Sequence, residues 1–427
     1  MAVEAPFDQP PEWRLVRLGD ITCKIGSGST PRGGGTSYLP ARARAALVRS
    51  QNVFDRYFDS EGLAFISDDQ ARLLEGVSLR PRDILLNITG DGVTFARSCI
   101  IPDGVLPAYV NQHVAIIRLD SRFADSGYVL AYLTLPVVKE YIESFNAGGS
   151  RRAITKGHIQ SFRLPLPPLP DQRAIASILG ALDDKIELNR KMSATLEAMA
   201  RAIFKSWFVD FDPVRAKAEG RRPEGMDEAT AALFPDRCGE DGLPDGWRRE
   251  PLLELCELKR GYDLPLAQRR SGPIPIYSSS GATGCHDEAQ ASSPGIVTGR
   301  YGTIGQVFFV ETPYWPLNTT LYVRDFKGHE PRYVYYVLRD LPYGKYVDKA
   351  AVPGVNRNDL HREPIVLPSR QVERAFASTL VPFWKRQALN ARQVATLESI
   401  RDLLLPRLVS GQLRVPDAEK TIEAVFA

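Results

Sequence analysis

At 427 residues, with 44% hydrophobic and 25% charged side chains, the chain has room for two or more domains and the make-up of a globular protein. A net charge of +3 says little about partners, so a nucleic-acid reading has to rest on local patches. The five cysteines (Cys23, Cys99, Cys238, Cys256, Cys285) lack CxxC spacing and read as reduced cytoplasmic thiols. With no apolar run near the roughly 18 residues of a membrane span, and no basic-then-apolar opening, neither a span nor a signal peptide is expected.

A short entry, Trp13-Arg14-Leu15 with Leu18 and Ile21, leads the chain. Apolar runs broken by Gly, Pro, Ser and Asn follow: ALVRSQNVF (46–54), DILLNITGDG (83–92) and VNQHVAIIRL (110–119). β-Branched and aromatic residues bounded by turn formers predict strands there. A helical segment is expected near 126–145. The proline-rich RLPLPPLPDQ (163–172) then opens a long helix. Its seam carries Ile175, Leu182, Asn189, Leu196 and Ile203, with a second series at Leu179, Ile186, Ala200 and Trp207. Apolar residues recurring every seven argue for a coiled coil, a rod of roughly 55 Å. A charged, Gly- and Pro-rich connector spans 209–242, and Phe211 and Phe234 suggest that parts of it pack.

The same order then repeats. Trp247-Arg248-Arg249 with Leu252 and Leu255 echoes the entry. IPIYSSSG (274–281), GIVTGRYGTIGQVFFV (295–310) and LNTTLYVRDF (317–326) predict strands, and 331–349 a helical segment. PIVLPSRQ (364–371) opens a second heptad helix with Phe376, Phe383, Asn390, Leu397 and Leu404 on its seam, beside Leu380, Val394 and Leu408. Residues 164–208 align without gaps on 365–409, pairing Leu188 with Leu389 and Leu196 with Leu397. Within the bodies, Thr89-Gly90 matches Thr298-Gly299, Asn111 matches Asn318 and Tyr128-Val129 matches Tyr333-Val334. The pattern predicts an α+β, pseudo-twofold molecule with two similar, non-identical working surfaces. Pro382 and Pro406 predict a kink, a late start or an early end for the second helix. Asn189 and Asn390 sit mid-seam, so antiparallel packing would bring them near each other, where a buried Asn fixes register; the other reading is a solvated helix edge.

Catalytic patterns are scarce. GxxxxGK[ST], HExxH and GxSxG are absent, and GSGSTPRGGG (26–35) lacks the ending of a phosphate loop, which favours a flexible or nucleic-acid-facing loop. Asp171 with Asp183 and Lys185 resembles a metal-dependent nuclease core, yet these residues lie along one predicted helix; Asp171 then suits a helix N-terminus and Asp183–Lys185 a solvated face. What remains is loop chemistry suited to DNA. VRSQN offers Arg49, Ser50, Gln51 and Asn52, where Arg reads guanine and Gln or Asn reads adenine. AGGSRRAITK offers Arg151, Arg152 and Lys156 to phosphates, and VPGVNRND its counterparts Gly354, Asn356 and Arg357. KRGYD and GRYGTIG interleave Arg260 with Tyr262 and Arg300 with Tyr301.

The order of LPLPPLPDQRAIASIL, heptad helix, KSWFVDFDPVRAKAEGRRPEGM, AALFP, LPDGW, second body and second helix resembles the specificity (S) subunits of type I restriction–modification systems over nearly the whole chain. FVDFDPVRAK (208–217) and the proline-rich helix entry carry most of that resemblance; LPSRQVERA departs from it by lacking the further prolines and the Asp-Gln pair. The resemblance implies target-recognition domains at 1–165 and 243–366, helices at 166–208 and within 367–427, and the connector at 209–242. It further implies an antiparallel coiled coil and a non-catalytic role in restriction defence. Each domain would bind one half of a split double-stranded DNA site. Two methyltransferase (M) subunits would dock, and motor-nuclease (R) subunits would be further partners. S-adenosylmethionine, ATP and Mg²⁺ would belong to those partners, with no cofactor or metal in this chain. The remaining readings from the residues alone are the nuclease and a coiled-coil scaffold without DNA binding.

Overall fold

The structure is a computed structural model describing residues 10–42, 44–145, 152–346 and 354–426. The chain forms two compact units: residues 1–190 with 390–427, and residues 191–389. Each unit therefore holds one body and half of each long helix.

Numbering only the strands that recur in both bodies, the first has β1 (Arg14–Arg17), β2 (Thr22–Ser27), β3 (Ala45–Val48), β4 (Ala64–Ile66), β5 (Ile84–Asn87), β6 (Ser98–Ile100), β7 (Ala108–Val110), β8 (Val114–Leu119) and β9 (Arg163–Leu166). The second has β10 (Arg248–Pro251), β11 (Glu257–Arg260), β12 (Ile274–Ser278), β13 (Gly281–His286), β14 (Gly295–Gly299), β15 (Val307–Val310), β16 (Trp315–Pro316), β17 (Thr320–Asp325) and β18 (Pro364–Leu367). The pairing is the same in both. One sheet runs β2-β8-β5-β6, matched by β11-β17-β14-β15. A smaller sheet runs β7-β3-β4, matched by β16-β12-β13, with β3 parallel to β7 and β12 parallel to β16. The entry strand closes antiparallel on the strand before the long helix, Arg14 opposite Leu166 and Arg248 opposite Leu367.

The central strands look uniformly apolar because both their faces are covered. In β5, Ile84 and Leu86 point into the core shared with the helices, while Leu85 points into the core shared with the smaller sheet. Alternation of period two thus feeds two cores, and Ile296 and Val297 of β14 divide the same way.

Among the helices are α1 (Ser126–Leu133), α2 (Pro136–Ser144), α3 (Lys156–Ser161), α4 (Leu169–Phe208), α5 (Asp212–Ala218), α6 (Pro331–Asp340), α7 (Arg357–His361), α8 (Arg370–Val409) and α9 (Val415–Phe426). Both long helices, α4 and α8, run for 40 residues. Pro382 and Pro406 do not shorten α8, contrary to the expectation from sequence. Both rings lie on the exposed face, and the carbonyls left without an N–H partner belong to Ser378 and Asp402, which are exposed and open to solvent.

The helices pack antiparallel in each unit. In the first, Ile175, Leu179, Leu182 and Ile186 share a core with Leu397, Leu404 and Leu408. In the second, Ala200, Phe204 and Trp207 meet Phe376 and Leu380, with Ile203 and Phe383 at the margin. Leu196 is half-buried. Phe204 rather than Ile203 points inward near the end of α4, since a straight helix of 3.6 residues per turn drifts off a strict seven-residue repeat. Asn189 and Asn390 are 1% and 0% exposed, which excludes the solvated-edge reading. The Asn189 amide donates to the Lys185 carbonyl (2.9 Å).

A polar latch ties each body to its helix. Gln172, buried in the first turn of α4, accepts from the Asp125 N–H (2.9 Å) and donates to the carbonyls of Phe123 (3.1 Å) and Pro167 (2.8 Å). Glu373 holds the equivalent place in α8: it accepts from the Glu330 N–H (3.1 Å) and meets the His329 Nδ1 at 2.7 Å. Above each latch a tyrosine hydroxyl donates to the strand before the helix, Tyr128 to Pro165 (2.8 Å) and Tyr333 to Val366 (2.7 Å).

Candidate nucleic-acid interface

The ends of the parallel pair β3 and β7 start a polar rim on the first body. The Asn111 N–H bonds the Val48 carbonyl (3.1 Å), and the Gly28 N–H bonds the Asn111 carbonyl (3.1 Å). That crossing needs glycine, because a Cβ on Gly28 would lie 1.9 Å from the Val110 oxygen. The buried Asn87 amide bonds the carbonyls of Ser50 (3.0 Å) and Thr94 (3.0 Å). Ile88 donates to His113, and Ile154 to Ile88, so residues 28–30, 49–52, 88–94, 111–113 and 152–156 share one edge.

The second body repeats this arrangement. Gly261 crosses the end of β16, where a Cβ would meet the Leu317 oxygen at 2.2 Å. Leu317 donates to the Tyr277 carbonyl (2.8 Å), Arg300 to Thr319 (2.9 Å) and Val355 to Arg300 (2.9 Å). KRGYD, GRYGTIG and the described end of VPGVNRND, scattered over about a hundred positions, therefore meet at one rim.

The residues singled out from sequence divide by availability. Gln51, Lys156, Arg260, Tyr301, Asn356 and Arg357 are exposed. Arg49 is half-buried, reaches the Gly62 carbonyl at 2.5 Å and lies over the Tyr38 ring. Ser50 is half-buried. Asn52 is a correction: it is fully buried, its oxygen accepts from the Arg49 N–H (3.1 Å) and its amide donates to Asp59 (3.0 Å), so it shapes the loop and presents nothing to a base. Arg152 pairs with Glu143 at 2.6 Å. Arg151 lies outside the described residues. Arg300 stacks over the neighbouring Tyr301 ring at 4.5 Å, and that ring covers Gly354. Tyr262 bonds the Tyr322 hydroxyl (3.0 Å) and Lys259 (3.2 Å), contacts that pull its phenol below the usual range.

Lys156 and Arg357 are equivalent. Each opens a short helix capped by the preceding residue, Thr155 accepting from the His158 N–H and Asn356 from the Asn358 N–H. Arg357 also helps burial to push the His361 imidazole below its ordinary value.

Further rim groups were not singled out from sequence. Thr89 Oγ1 meets His113 Nδ1 at 2.6 Å, Gln112 meets His113 Nε2 at 3.2 Å, and Thr30 donates to Gln112 (2.5 Å). Beside them Asp91 accepts from the Thr94 N–H and hydroxyl and the Val93 N–H, which hold its carboxyl below the usual range. Val93 projects from this turn, 69% exposed. The usable signal was the position of Asn111-Gln112-His113 against Asn318. The second rim carries Ser278, Ser280 and Asn318 at these places, with Asn318 bonded to Asp263.

The nuclease reading finds no site. Asp171 and Asp183 are twelve residues apart on α4, about 18 Å along its axis, too far to share an ion. Asp183 is also not on a solvated face, since Arg56 and Arg401 both bind it. Among the described residues no group of three or more His, Cys, Asp or Glu is placed to hold a metal, and no helix is long and apolar enough to cross a membrane.

The profile of the type I restriction modification DNA specificity domain matches residues 80–198, from the rim strands of the first body into α4. The HindI specificity subunit of Haemophilus influenzae is 26% identical, over 71% of this chain and 81% of its own. The MjaIX specificity subunit of Methanocaldococcus jannaschii is 22% identical over 96% of this chain and 95% of its own. The chain is similar to type I restriction specificity subunits along nearly its whole length. The fold agrees: the crystal structure of a type I restriction–modification S subunit from M. genitalium superposes with a TM-score of 0.54 at 14% identity, covering 95% of this chain and 99% of that one.

Proposed function

We propose that each rim reads one half of a bipartite, asymmetric DNA site. The observation that carries this reading is the placement of different polar sets on equivalent strand ends. His113, Gln112, Thr89 and Gln51 stand on one rim; Tyr301, Arg300, Arg260 and the serines stand on the other. Base edges in the major groove distinguish such donor and acceptor sets, while Lys156 and Arg357 suit phosphates.

The paired helices set the distance between half-sites and offer the surface on which methyltransferase subunits dock. Methyl transfer and cleavage, with S-adenosylmethionine, ATP and Mg²⁺, are assigned to those partners and to motor-nuclease subunits. The chain itself acts as a non-catalytic reader in the cytoplasm. The test is to co-express it with its cognate methyltransferase subunit and map N6-methyladenine in the host DNA. One bipartite motif with a fixed gap is expected. An assembled complex that leaves no such motif would overturn the reading. Removing one heptad from both helices should shorten the gap by about three base pairs and keep the half-sites, because seven helical residues span roughly 10 Å and each base pair about 3.4 Å.

A further inference from the structure

The first body touches the helix pair through a feature that its partner body lacks. A hairpin of Val53–Phe54 and Tyr57–Phe58 projects from the first body, and no described strand of the second body corresponds to it. Its turn places Arg56 in the left-handed region (φ 60°), a conformation that L-residues seldom adopt. The guanidinium is almost fully buried, 6% exposed, and binds Asp183 of α4 through Nε (2.7 Å) and Nη2 (2.5 Å) on the same Oδ2. The other oxygen of Asp183 accepts from Arg401 of α8 at 3.2 Å. One carboxylate, 18% exposed, thus joins the body to both helices. The hairpin is braced further by Lys139 on Asp55 and by Arg190 beside the Tyr57 ring at 5.9 Å.

The second body solves the same problem with aromatic rings. The position equivalent to Asp183 is Trp384. Its ring and that of Phe309 enclose Arg332 at 4.1 and 3.6 Å. A partly buried ion pair returns little net stability because its charges lose water, yet its geometry is exacting. An arginine that reaches from a body to a helix therefore serves orientation better than it serves stability.

We propose that the Arg56–Asp183–Arg401 bridge fixes the pose of the first body on the helix pair, which makes Arg56 and Asp183 positioning residues for how strictly the gap between half-sites is measured. This rests on the two-reader function above. The experiment maps methylation by the complex, with its cognate methyltransferase subunit, on native half-sites separated by the native gap and by gaps one base pair shorter and longer. Asp183→Asn and Arg56→Gln should each lose about tenfold of the preference for the native gap, the coupling expected of a direct contact, with half-site sequence unchanged. Asp183→Glu should retain the preference. Arg56→Gln leaves the Asp183–Arg401 contact between the helices in place, so its effect is that of the body's attachment alone. Unchanged preference in either folded variant would overturn the proposal. So would an equal fall at all gaps, or a failure of both variants to assemble, which would make the bridge a folding element only. A wild-type complex without any bipartite motif would instead remove the two-reader function first.

Discussion

The two bodies share strand order, strand direction and helix entry, yet they are seated on the helices by different chemistry. In the first, α1 comes close through small residues: a Cβ on Gly127 would lie 2.8 Å from the Ala176 Cβ. Its equivalent in α6 is Arg332, inserted between Phe309 and Trp384 and bonded to Glu311, while Arg339 of the same helix pairs with Glu197 of α4. The first body then adds the Arg56 hairpin. The latch also differs, a neutral amide at Gln172 and a carboxylate with a histidine at Glu373. A duplicated frame can hold its backbone plan while each copy rebuilds its joints, because hydrogen-bonded strand order tolerates any side-chain set that fills the same space.

Exchanging the latches should give the largest effect. Gln172→Glu would set a carboxylate against the Phe123 and Pro167 carbonyls and should cost about 3 kcal/mol, read as a lower urea midpoint. Glu373→Gln keeps an acceptor for the Glu330 N–H and should cost about 1 kcal/mol. Equal losses would break the contrast between the latches. Next comes the seat of the second body: Arg332→Ala should cost about 2 kcal/mol through lost stacking on both rings. Gly127→Ala should destabilise the first unit by about 1–2 kcal/mol through overpacking on Ala176.

Lys156→Ala and Arg357→Ala test the shared part of the frame. Each should weaken DNA binding alike across sequences and reduce the salt slope of affinity by about 1, as loss of one phosphate contact does. A marked difference between the two would end their equivalence. The smallest effect concerns His361, whose imidazole accepts from the Leu258 N–H (2.9 Å) and is held below its ordinary value by burial and then by Arg357. A depressed folded-state value means that protons favour the unfolded chain. Stability is therefore kept above the free-histidine value near 6.5 and is lost as the pH falls below it. Partial exposure limits this to under about 1 kcal/mol. His361→Gln should flatten the melting temperature between pH 7 and pH 5.

Much of the frame was legible in the residues. Leu188 against Leu389 gave the duplication, and β-branched runs bounded by Gly and Asn marked the strands that were found. The helices were placed by Ile175, Leu182 and their repeats. What escaped depends on contacts distant in sequence. Asn52 reads as an exposed polar loop residue until Asp59 and Glu61 close around its amide. Asp183 reads as a solvated helix position because its partners lie 127 and 218 residues away. The prolines of α8 were misjudged since their cost depends on which face they occupy, and the apolar repeat alone does not settle the face of every position. The polar rim was legible in composition, but its assembly came only with the parallel strand ends and the glycine crossings.

The division of the chain into units has a consequence for the order of synthesis. The second unit is one continuous stretch, 191–389, whereas the first needs residues 390–427 to complete it. Leu397, Leu404 and Leu408 fill the core against which Ile175, Leu179 and Leu182 pack, and Arg401 reaches Asp183 from the same segment. As the chain leaves the ribosome, the body translated first keeps an open apolar flank until residues 390–427 emerge. A ribosome that stops after Leu389 would release a second body with all its parts and a first body without its cover. The first body's cover thus comes from a segment translated only after the whole of the second body.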